Sequence, residues 1–126
     1  MSEQAVFQSY AVSGAVVFEA RGEVDISNAP DFRTALEQAG STDLPTLVVS
    51  LSGISYFDSQ SLEILVDFSK RLTVNRRRLV LVAPKDSSPR TLLDLSGIST
   101  LIGVFESVDE AVRAALEEPI VGSEAT

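Results

Sequence analysis

The stretch LVVSLSGISYFDSQSLEIL, residues 47–65, decides the fold class of this chain of 126 residues. It begins with an apolar run that predicts a strand over Leu47–Leu51, because strands covered on both faces lose the usual polar alternation. It ends with apolar residues at helical spacing, which predict an amphipathic helix over Leu62–Arg76. Asp58 and Ser59 lie between the predicted strand and the predicted helix.

The same two patterns continue on both sides of this stretch. Strands are predicted over Val6–Val12 and Ala15–Arg21, and the Ser-Gly pair between them predicts a hairpin. The segment ISNAPDFRTALEQAG predicts a helix, capped by Ser27 or Asn28 and closed by a left-handed Gly40. The remaining predicted elements are a strand over Leu79–Ala83, a capped helix in SSPRTLLDLSG, a strand over Ile102–Phe105 and a helix in SVDEAVRAALEE that opens with a Ser107–Glu110 capping box.

This order, β-β-α-β-α-β-α-β-α, predicts the fold class. Strands that alternate with helices favour a mostly parallel sheet covered by helices, and the opening hairpin adds one antiparallel strand. We therefore predict one α/β domain with about four helices over residues 1–118, followed by a flexible C-terminal tail over 119–126. The apolar strands over 47–51, 79–83 and 102–105 are expected to be parallel and central. The side chains expected in the core are Val49, Leu65, Val80, Val82 and Val112.

The amino-acid composition excludes several classes of enzyme. The chain has no cysteine and no histidine, which removes thiolate nucleophiles, Ser-His-Asp triads and the common zinc sites. It also lacks a glycine-rich phosphate loop with lysine, a GxGxxG motif and a GxSxG motif. We therefore predict a protein that is not an enzyme and that uses no cofactor and no metal.

Charge and hydropathy limit the partners and the location of the protein. The net charge of −8 argues against direct binding of nucleic acid, which needs clustered lysine and arginine. The basic run Arg76–Arg78 is interpreted as a solvated helix terminus. No apolar stretch is long enough to span a bilayer, and the first residues lack a secretory signal. A cytoplasmic location without a membrane partner is therefore expected.

The carboxylate and hydroxyl before the second helix allow two interpretations. Ser59 or Asp58 can serve as the N-cap of the helix, which stabilises a helix by about 1 kcal/mol. Alternatively, Ser59 is phosphorylated, since free helix N–H groups would favour a phosphate there although the Asp58 carboxylate would disfavour it. On the residues alone, capping is the simpler interpretation, and both stay open.

Two other polar clusters allow a functional interpretation. Glu23 and Asp25 follow the second strand, at the sheet edge that carries function in open α/β sheets, where paired carboxylates could serve acid–base chemistry or Mg²⁺. A polar loop that enters a helix is the simpler interpretation. Ser87 and Ser88 precede a proline and could bind an anion, but helix capping is the better interpretation.

In their order and spacing, these motifs resemble those of the STAS domain family of anti-sigma factor antagonists. The segment ARGEVDISNAPDFRTAL resembles the family's Gly-x-hydrophobic-Asp motif and the helix after it. The segment LVVSLSGISYFDSQSLEIL resembles the family's strand, short turn and Asp-Ser-x-Gly helix start. The segment GVFESVDEAVRAAL resembles the last strand and helix, so the match runs from about Val6 to Leu116.

The resemblance implies a function and a set of site residues. In such proteins the serine after the aspartate, here Ser59, is phosphorylated by a serine kinase that is also an anti-sigma factor. The unphosphorylated form binds this kinase and frees a sigma factor, and a phosphatase resets the cycle, so that partner switching regulates bacterial transcription. Asp25 and Asp58 match family residues near the phosphorylation site and are expected to contact the partner. The alternative is a STAS scaffold or transport-accessory module that binds a protein without being phosphorylated.

The sequence departs from the family pattern at two positions. Ser50 stands where the family commonly has aspartate, and Ser61 replaces the glycine of the Asp-Ser-x-Gly motif. Ser61 still fits a first helical turn, so the fold is not affected. Ser61 is also expected to contact the partner and is a rival acceptor for the phosphate. The resemblance favours Ser59 as the acceptor, and a cap role for Ser59 stays compatible with it.

Overall fold

The structure, a computed structural model, describes residues 5–117. Within this range the predicted order of strands and helices is confirmed, with one added turn of 3-10 helix. The strands are β1 (Val6–Val12), β2 (Ala15–Val24), β3 (Thr46–Phe57), β4 (Arg78–Val82) and β5 (Val104–Phe105). The helices are α1 (Ala29–Ala39), α2 (Ser59–Val74), α3 (Ser88–Ser96) and α4 (Val108–Glu117), and the 3-10 turn is Ile98–Thr100. The predicted tail over 119–126 lies outside the described residues.

The five strands form one sheet in which the spatial order equals the chain order, β1-β2-β3-β4-β5. β1 pairs with β2 in the antiparallel direction, and the other three pairings are parallel. The predicted mixed, mostly parallel sheet with an N-terminal hairpin is therefore confirmed. Within residues 5–117, no helix combines the length and the apolar character that crossing a membrane requires.

Both faces of the central strands are covered, which explains why their sequences lack polar alternation. On β3, Leu47 and Val49 belong to a large core cluster formed with α1, α2 and α3. Val48 points to the opposite face and belongs to a smaller cluster formed with α4. The side chains predicted in the core are all buried: Val49, Leu65, Val80, Val82 and Val112.

The predicted central position of the last strand is wrong. β5 lies at the edge of the sheet and contains only Val104 and Phe105. Residues 101–103 before it follow the 3-10 turn, and the backbone N–H of Ile102 donates to the carbonyl of Ile98 at 2.9 Å. From this position just after the turn, Ile102 is buried in the large core cluster. Its apolar side chain therefore marks core packing and not a strand.

β3 is longer than predicted, and its extra length positions the candidate site. It runs to Phe57 instead of Leu51, pairing with β4 only as far as Ser50 but with β2 as far as Phe57. Ile54 and Phe57 of this extension are buried, whereas Ser55 and Tyr56 between them are exposed, so the buried residues do not follow the alternation of a regular strand. The ends of β2 and β3 therefore extend together beyond the β3–β4 pairing.

Gly40, the residue after α1, is required by side-chain packing and does not end the helix in the predicted left-handed conformation. Gly40 has a φ of −85°, so that prediction is wrong. A Cβ atom at this position would lie 2.7 Å from Cζ of Phe68 on α2. Glycine is therefore needed because the ring of Phe68 occupies the space that a side chain would take.

The interpretation of Arg76–Arg78 as a solvated helix terminus is wrong for two of its three residues. Arg76 is exposed, as expected, but Arg77 and Arg78 are half-buried. The Arg77 guanidinium donates from Nη1 to the carbonyl of Gly40 at 2.7 Å and from Nε to the carbonyl of Leu44 at 2.9 Å. Arg78 begins β4, and its Nη2 donates to a carbonyl of α4 at 3.3 Å. These charged donors satisfy carbonyls at the ends of other elements.

The predicted caps of the last two helices are found in the structure. At the start of α3, the hydroxyl of Ser87 accepts from the N–H of Arg90 at 3.4 Å, which supports capping over anion binding. At the start of α4, the hydroxyl of Ser107 accepts from the N–H of Glu110 at 3.1 Å. The Glu110 carboxylate accepts from the N–H of Glu106 instead of closing the capping box on Ser107.

Replacing Leu65 by alanine tests the placement of α2 against the sheet. Leu65 is fully buried in the large core cluster, so Leu65→Ala is expected to lower the free energy of unfolding by about 2–5 kcal/mol. Leu95→Ala is the matched control, because Leu95 on α3 is 82% exposed and its loss should cost less than about 0.5 kcal/mol. The measurement is urea unfolding of both variants. Equal midpoints for the two variants would contradict the packing described here.

Candidate functional site

The candidate site lies where two neighbouring parallel strands end. Val24 of β2 is in register with Phe57 of β3, so the next residues, Asp25 and Asp58, leave the sheet side by side. Helix α2 starts directly after Asp58, and α1 starts a few residues after Asp25. The structure therefore places the residues predicted from the sequence at one edge of the sheet, the carboxyl edge that carries ligands in open α/β sheets.

Asp58 and not Ser59 is the N-cap of α2. Its backbone is extended (φ −104°, ψ 175°), and its Oδ1 accepts from the N–H of Ser61 at 2.9 Å. The same Oδ1 also accepts from the hydroxyl of Ser61 at 2.8 Å. This cap explains why α2 begins at Ser59, three residues earlier than the apolar pattern predicts. An aspartate in this position stabilises a helix by about 1 kcal/mol.

Ser59 occupies the first position of α2 and is exposed. Its hydroxyl has no hydrogen-bond partner among residues 5–117. Because Asp58 satisfies one N–H of the first turn, other N–H groups of that turn remain open to solvent or to an anion. Ser59 is thus a free hydroxyl in a positively polarised setting.

Ser61 lies on the opposite side of the same turn and is fully buried. Its hydroxyl donates to Asp58, and it lies 3.4 Å from the carbonyl oxygen of Val24 at the end of β2. A buried hydroxyl without such partners would cost about 1–3 kcal/mol. Ser61 is therefore packed between Asp58 and the end of β2, and in this conformation it presents no surface to a partner.

The loop between β2 and α1 is held by its own polar side chains. The carboxylate of Asp25 accepts from the N–H of Ser27 at 2.9 Å and from the Ser27 hydroxyl. Asn28 accepts from the N–H of Asp25 at 2.9 Å and donates to the carbonyl of Glu23 at 2.8 Å. Asn28 therefore occupies the cap position of α1, but its side chain braces the loop and makes no cap bond.

These bonds lower the pKa of Asp25 below its usual value. The largest cause is the hydrogen bond from the Ser27 hydroxyl, followed by the bond from the Ser27 backbone N–H. Since the folded chain has the lower pKa, the stabilisation by this carboxylate is complete above the unfolded pKa. It is lost as the pH falls through the lowered value. Asp25 is therefore an anion at neutral pH.

The possible Mg²⁺ site formed by Glu23 and Asp25 gains no third metal-binding side chain among residues 5–117. Glu23 is half-buried near the end of β2, and its carbonyl oxygen accepts from Asn28. Among residues 5–117, no three side chains of the types that bind metals come together. The polar loop that enters a helix, which was the simpler interpretation, describes this segment.

A groove between α1 and α2 borders the site, and the sequence did not predict it. Ile26 is 70% exposed at its rim, directly after Asp25, although it is a large apolar side chain. The groove has a volume of about 260 Å³ and is lined by Ile26, Ala29, Pro30, Arg33, Thr34, Gln60 and Ile64. An apolar residue inside an otherwise polar loop was the only sequence signal for this surface.

Alanine variants at Asp58 and Ser59 distinguish the side chain that caps α2 from the one that makes no hydrogen bond. Asp58→Ala removes the cap and an acceptor of the buried Ser61 hydroxyl, so it should lower the free energy of unfolding by about 1–2 kcal/mol. Ser59→Ala removes an unbonded exposed hydroxyl and should change it by less than about 0.5 kcal/mol. Thermal and urea unfolding measure both variants. A larger loss in Ser59→Ala than in Asp58→Ala would contradict the assignment of the cap.

Comparison with solved structures finds the same fold in proteins of low sequence identity. An anti-sigma factor antagonist from Mycobacterium paratuberculosis has a TM-score of 0.83 at 23% identity, and the match covers 93% of this chain and 100% of that one. The antagonist SpoIIAA in its unphosphorylated form matches with a TM-score of 0.71 at 20% identity, over 88% of this chain and 96% of that one.

Two further matches show the range of proteins that contain this fold. The Bacillus cell fate determinant SpoIIAA in its phosphorylated form has a TM-score of 0.65 at 20% identity, over 87% of this chain and 99% of that one. The murine anion transporter Slc26a9 has a TM-score of 0.72 at 19% identity, over 86% of this chain but only 19% of the transporter. The family model for the STAS domain matches residues 7–111. The chain therefore belongs to the STAS domain family.

Proposed function

We propose that this protein is an anti-sigma factor antagonist that binds an anti-sigma factor with serine kinase activity and is switched off by phosphorylation of Ser59. The observation that carries the proposal is the exposed, unbonded hydroxyl of Ser59 on the first residue of α2. Its neighbour Asp58 already caps the helix, so the Ser59 hydroxyl is not needed for capping. Modification of Ser59 would therefore leave the contacts that hold α2 in place.

The electrostatics of the site support a switch that changes binding without unfolding the chain. A phosphate adds a charge of about −1.5 to −2 at neutral pH, and free helix N–H groups can solvate it. The carboxylates of Asp58 and Asp25 and the net charge of −8 make the modified surface strongly acidic. A partner that accepts a neutral hydroxyl would have to desolvate this charge. A loss of about 2.8 kcal/mol lowers affinity about a hundredfold.

The geometry favours Ser59 over Ser61 as the acceptor. Phosphoryl transfer moves the γ-phosphoryl group of ATP to the serine oxygen, with loss of the hydroxyl proton and release of ADP, and the kinase must reach that oxygen. Ser59 is exposed, whereas the Ser61 hydroxyl is buried between Asp58 and the carbonyl of Val24. Phosphorylation of Ser61 would require the first turn of α2 to leave β2.

The same proposal covers partners and location. The protein acts by binding and not by catalysis, in line with the absence of histidine and cysteine from the chain. The fold neighbours that are described as anti-sigma factor antagonists, one of them also solved in a phosphorylated form, support this function for a chain of this family. A phosphatase would complete the cycle, and a role in transcription would place the protein in the cytoplasm.

Variants at Ser59 test the switch. Wild type, Ser59→Ala and Ser59→Asp are used to capture proteins from extracts of the native cell, with identification by mass spectrometry. A kinase-type anti-sigma factor should be captured by wild type and Ser59→Ala but at least tenfold less by Ser59→Asp, because the added charge is desolvated in the interface. Ser88→Asp is the matched control, since Ser88 is the exposed first residue of α3, after its own cap. It should capture the partner as wild type does.

Incubation with the purified partner then identifies which serine accepts the phosphate. After incubation with ATP, peptide mapping should find phosphate on Ser59 and none in the Ser59→Ala variant. Phosphate on Ser61 alone would move the switch to that residue. If neither serine is phosphorylated, or if the captured proteins form an unrelated assembly, the protein is a static binding module, the alternative within the family.

A variant at Asp25 tests the extent of the interface. Asp25 presents a carboxylate beside Asp58 at the sheet edge, so Asp25→Ala should weaken binding of the purified partner by about tenfold. Its melting temperature should stay close to that of wild type. Asp43→Ala is the control, because Asp43 is an exposed residue in the loop before β3 at the other end of the sheet. Equal affinities of wild type and Asp25→Ala in calorimetry would remove Asp25 from the interface.

A further inference from the structure

A cavity lies beside the first residues of β4, at the edge of the sheet opposite to the candidate site. β5 pairs only with Leu81 and Val82, so the start of β4 has no neighbouring strand on that side within residues 5–117. The C-terminal turns of α2 and α4 and the residues before β5 surround this gap, which has a volume of about 320 Å³. A space of this size accommodates a small molecule.

The charged side chains that line this cavity are all positive. Three consecutive arginines, Arg76–Arg78, line it, and none of the described acidic residues does, although the chain has a net charge of −8. The guanidinium of Arg77 is fixed by its bonds to two main-chain carbonyls, and its Nη2 is buried without a hydrogen-bond partner in residues 5–117. Within the same residues, neither Arg76 nor Arg77 forms an ion pair. The charges of these two arginines are therefore available to an anion.

Arg76 has a strained backbone conformation beside this cavity. Its φ is 59°, in the left-handed region that glycine or asparagine usually occupies after a helix. The turn is closed by the backbone, since the N–H of Arg77 donates to the carbonyl of Leu72 at 2.8 Å. The exposed side chain of Arg76 makes no hydrogen bond among residues 5–117. An arginine that is unfavourable for the turn and makes no bond of its own indicates a role in binding.

The rest of the cavity lining is mostly apolar. Leu79 and Ile102 are buried, whereas Leu101 is 77% exposed. The hydroxyl of Ser69 on α2 also lines the cavity, is half-buried and has no hydrogen-bond partner in the described part of the chain. A ligand would thus meet apolar side chains as well as cations and a hydroxyl donor. This combination suits a molecule with an anionic group and an apolar body better than it suits a bare inorganic ion.

We propose that this cavity binds a small amphipathic anion. Its carboxylate or phosphate group is held by Arg76, with the fixed charge of Arg77 adding to the attraction, and its apolar body packs against Leu79, Ile102 and Phe105. A guanidinium can donate two parallel hydrogen bonds to either kind of anionic group. The cavity lies at the start of the parallel strands, whereas Ser59 follows their ends, so this inference does not depend on the proposed function.

Binding of 8-anilinonaphthalene-1-sulfonate tests the cavity, because this fluorescent dye carries one anionic group on an apolar ring system. The folded full chain should bind the dye, and Arg76→Gln should raise the dissociation constant by about fivefold or more through loss of a charged donor. Arg76→Gly should weaken binding equally without lowering the melting temperature, because glycine tolerates the left-handed conformation. Arg33→Gln is the matched control, since Arg33 is an exposed arginine on α1 outside this cavity. It should bind the dye as wild type does.

Competition with unlabelled compounds identifies the chemistry of the ligand. Octanoate and octyl phosphate should displace the dye, and the stronger of the two names the preferred anionic group. Octanol and acetate at the same concentration should not displace it, since the first lacks the charge and the second lacks the apolar body.

Three results would overturn the proposal. Equal dye affinity in wild type, both Arg76 variants and Arg33→Gln would show that Arg76 holds no anion. Displacement by octanol as strong as by octanoate would show an apolar patch without an anion site. Dye binding that appears only after removal of residues 118–126 would assign the cavity to the chain's own C-terminal segment.

Discussion

The parallel pairing of β2 with β3 is the constraint on which the rest of the structure depends. It runs from Ala15 beside Thr46 to Val24 beside Phe57, well beyond the point where β3 stops pairing with β4. Buried side chains on both faces of these strands keep the register, because a slip of one residue would turn each of them to the wrong face. The register sets Asp25 and Asp58 side by side, and every part of the candidate site follows from that position.

Three neighbouring polar residues at the start of α2 have different structural roles. Asp58 caps the helix and accepts from the Ser61 hydroxyl, which is fully buried against the end of β2. Ser59, between them, makes no hydrogen bond among the described residues. The start of α2 is therefore stabilised by side chains other than Ser59, so a change at Ser59 need not disturb the helix.

The arginines of this acidic chain show how burial changes the role of a charge. Arg77 is half-buried and donates to the carbonyls of Gly40 and Leu44, which ties the end of α2 to the loop after α1. Arg33, at the opposite end of the same pair of helices, is exposed and donates to nothing in residues 5–117. The first stabilises the fold through charged hydrogen bonds, whereas the second stays solvated on the surface of α1.

The sequence by itself determined the order of the elements, the core side chains and the caps of α3 and α4, because these depend on local periodicity and on contacts a few residues apart. It did not reveal the extension of β3 or the edge position of β5, since strand length and sheet order depend on pairing with distant residues. The candidate residues near Ser59 were also found from their order, but their roles were not. Ser59 and Ser61 both fit the first turn of a helix and point about 200° apart around its axis. Only the packing of α2 against β2 decided that Ser61 is buried and Ser59 is exposed, because burial depends on which face of the helix meets the sheet.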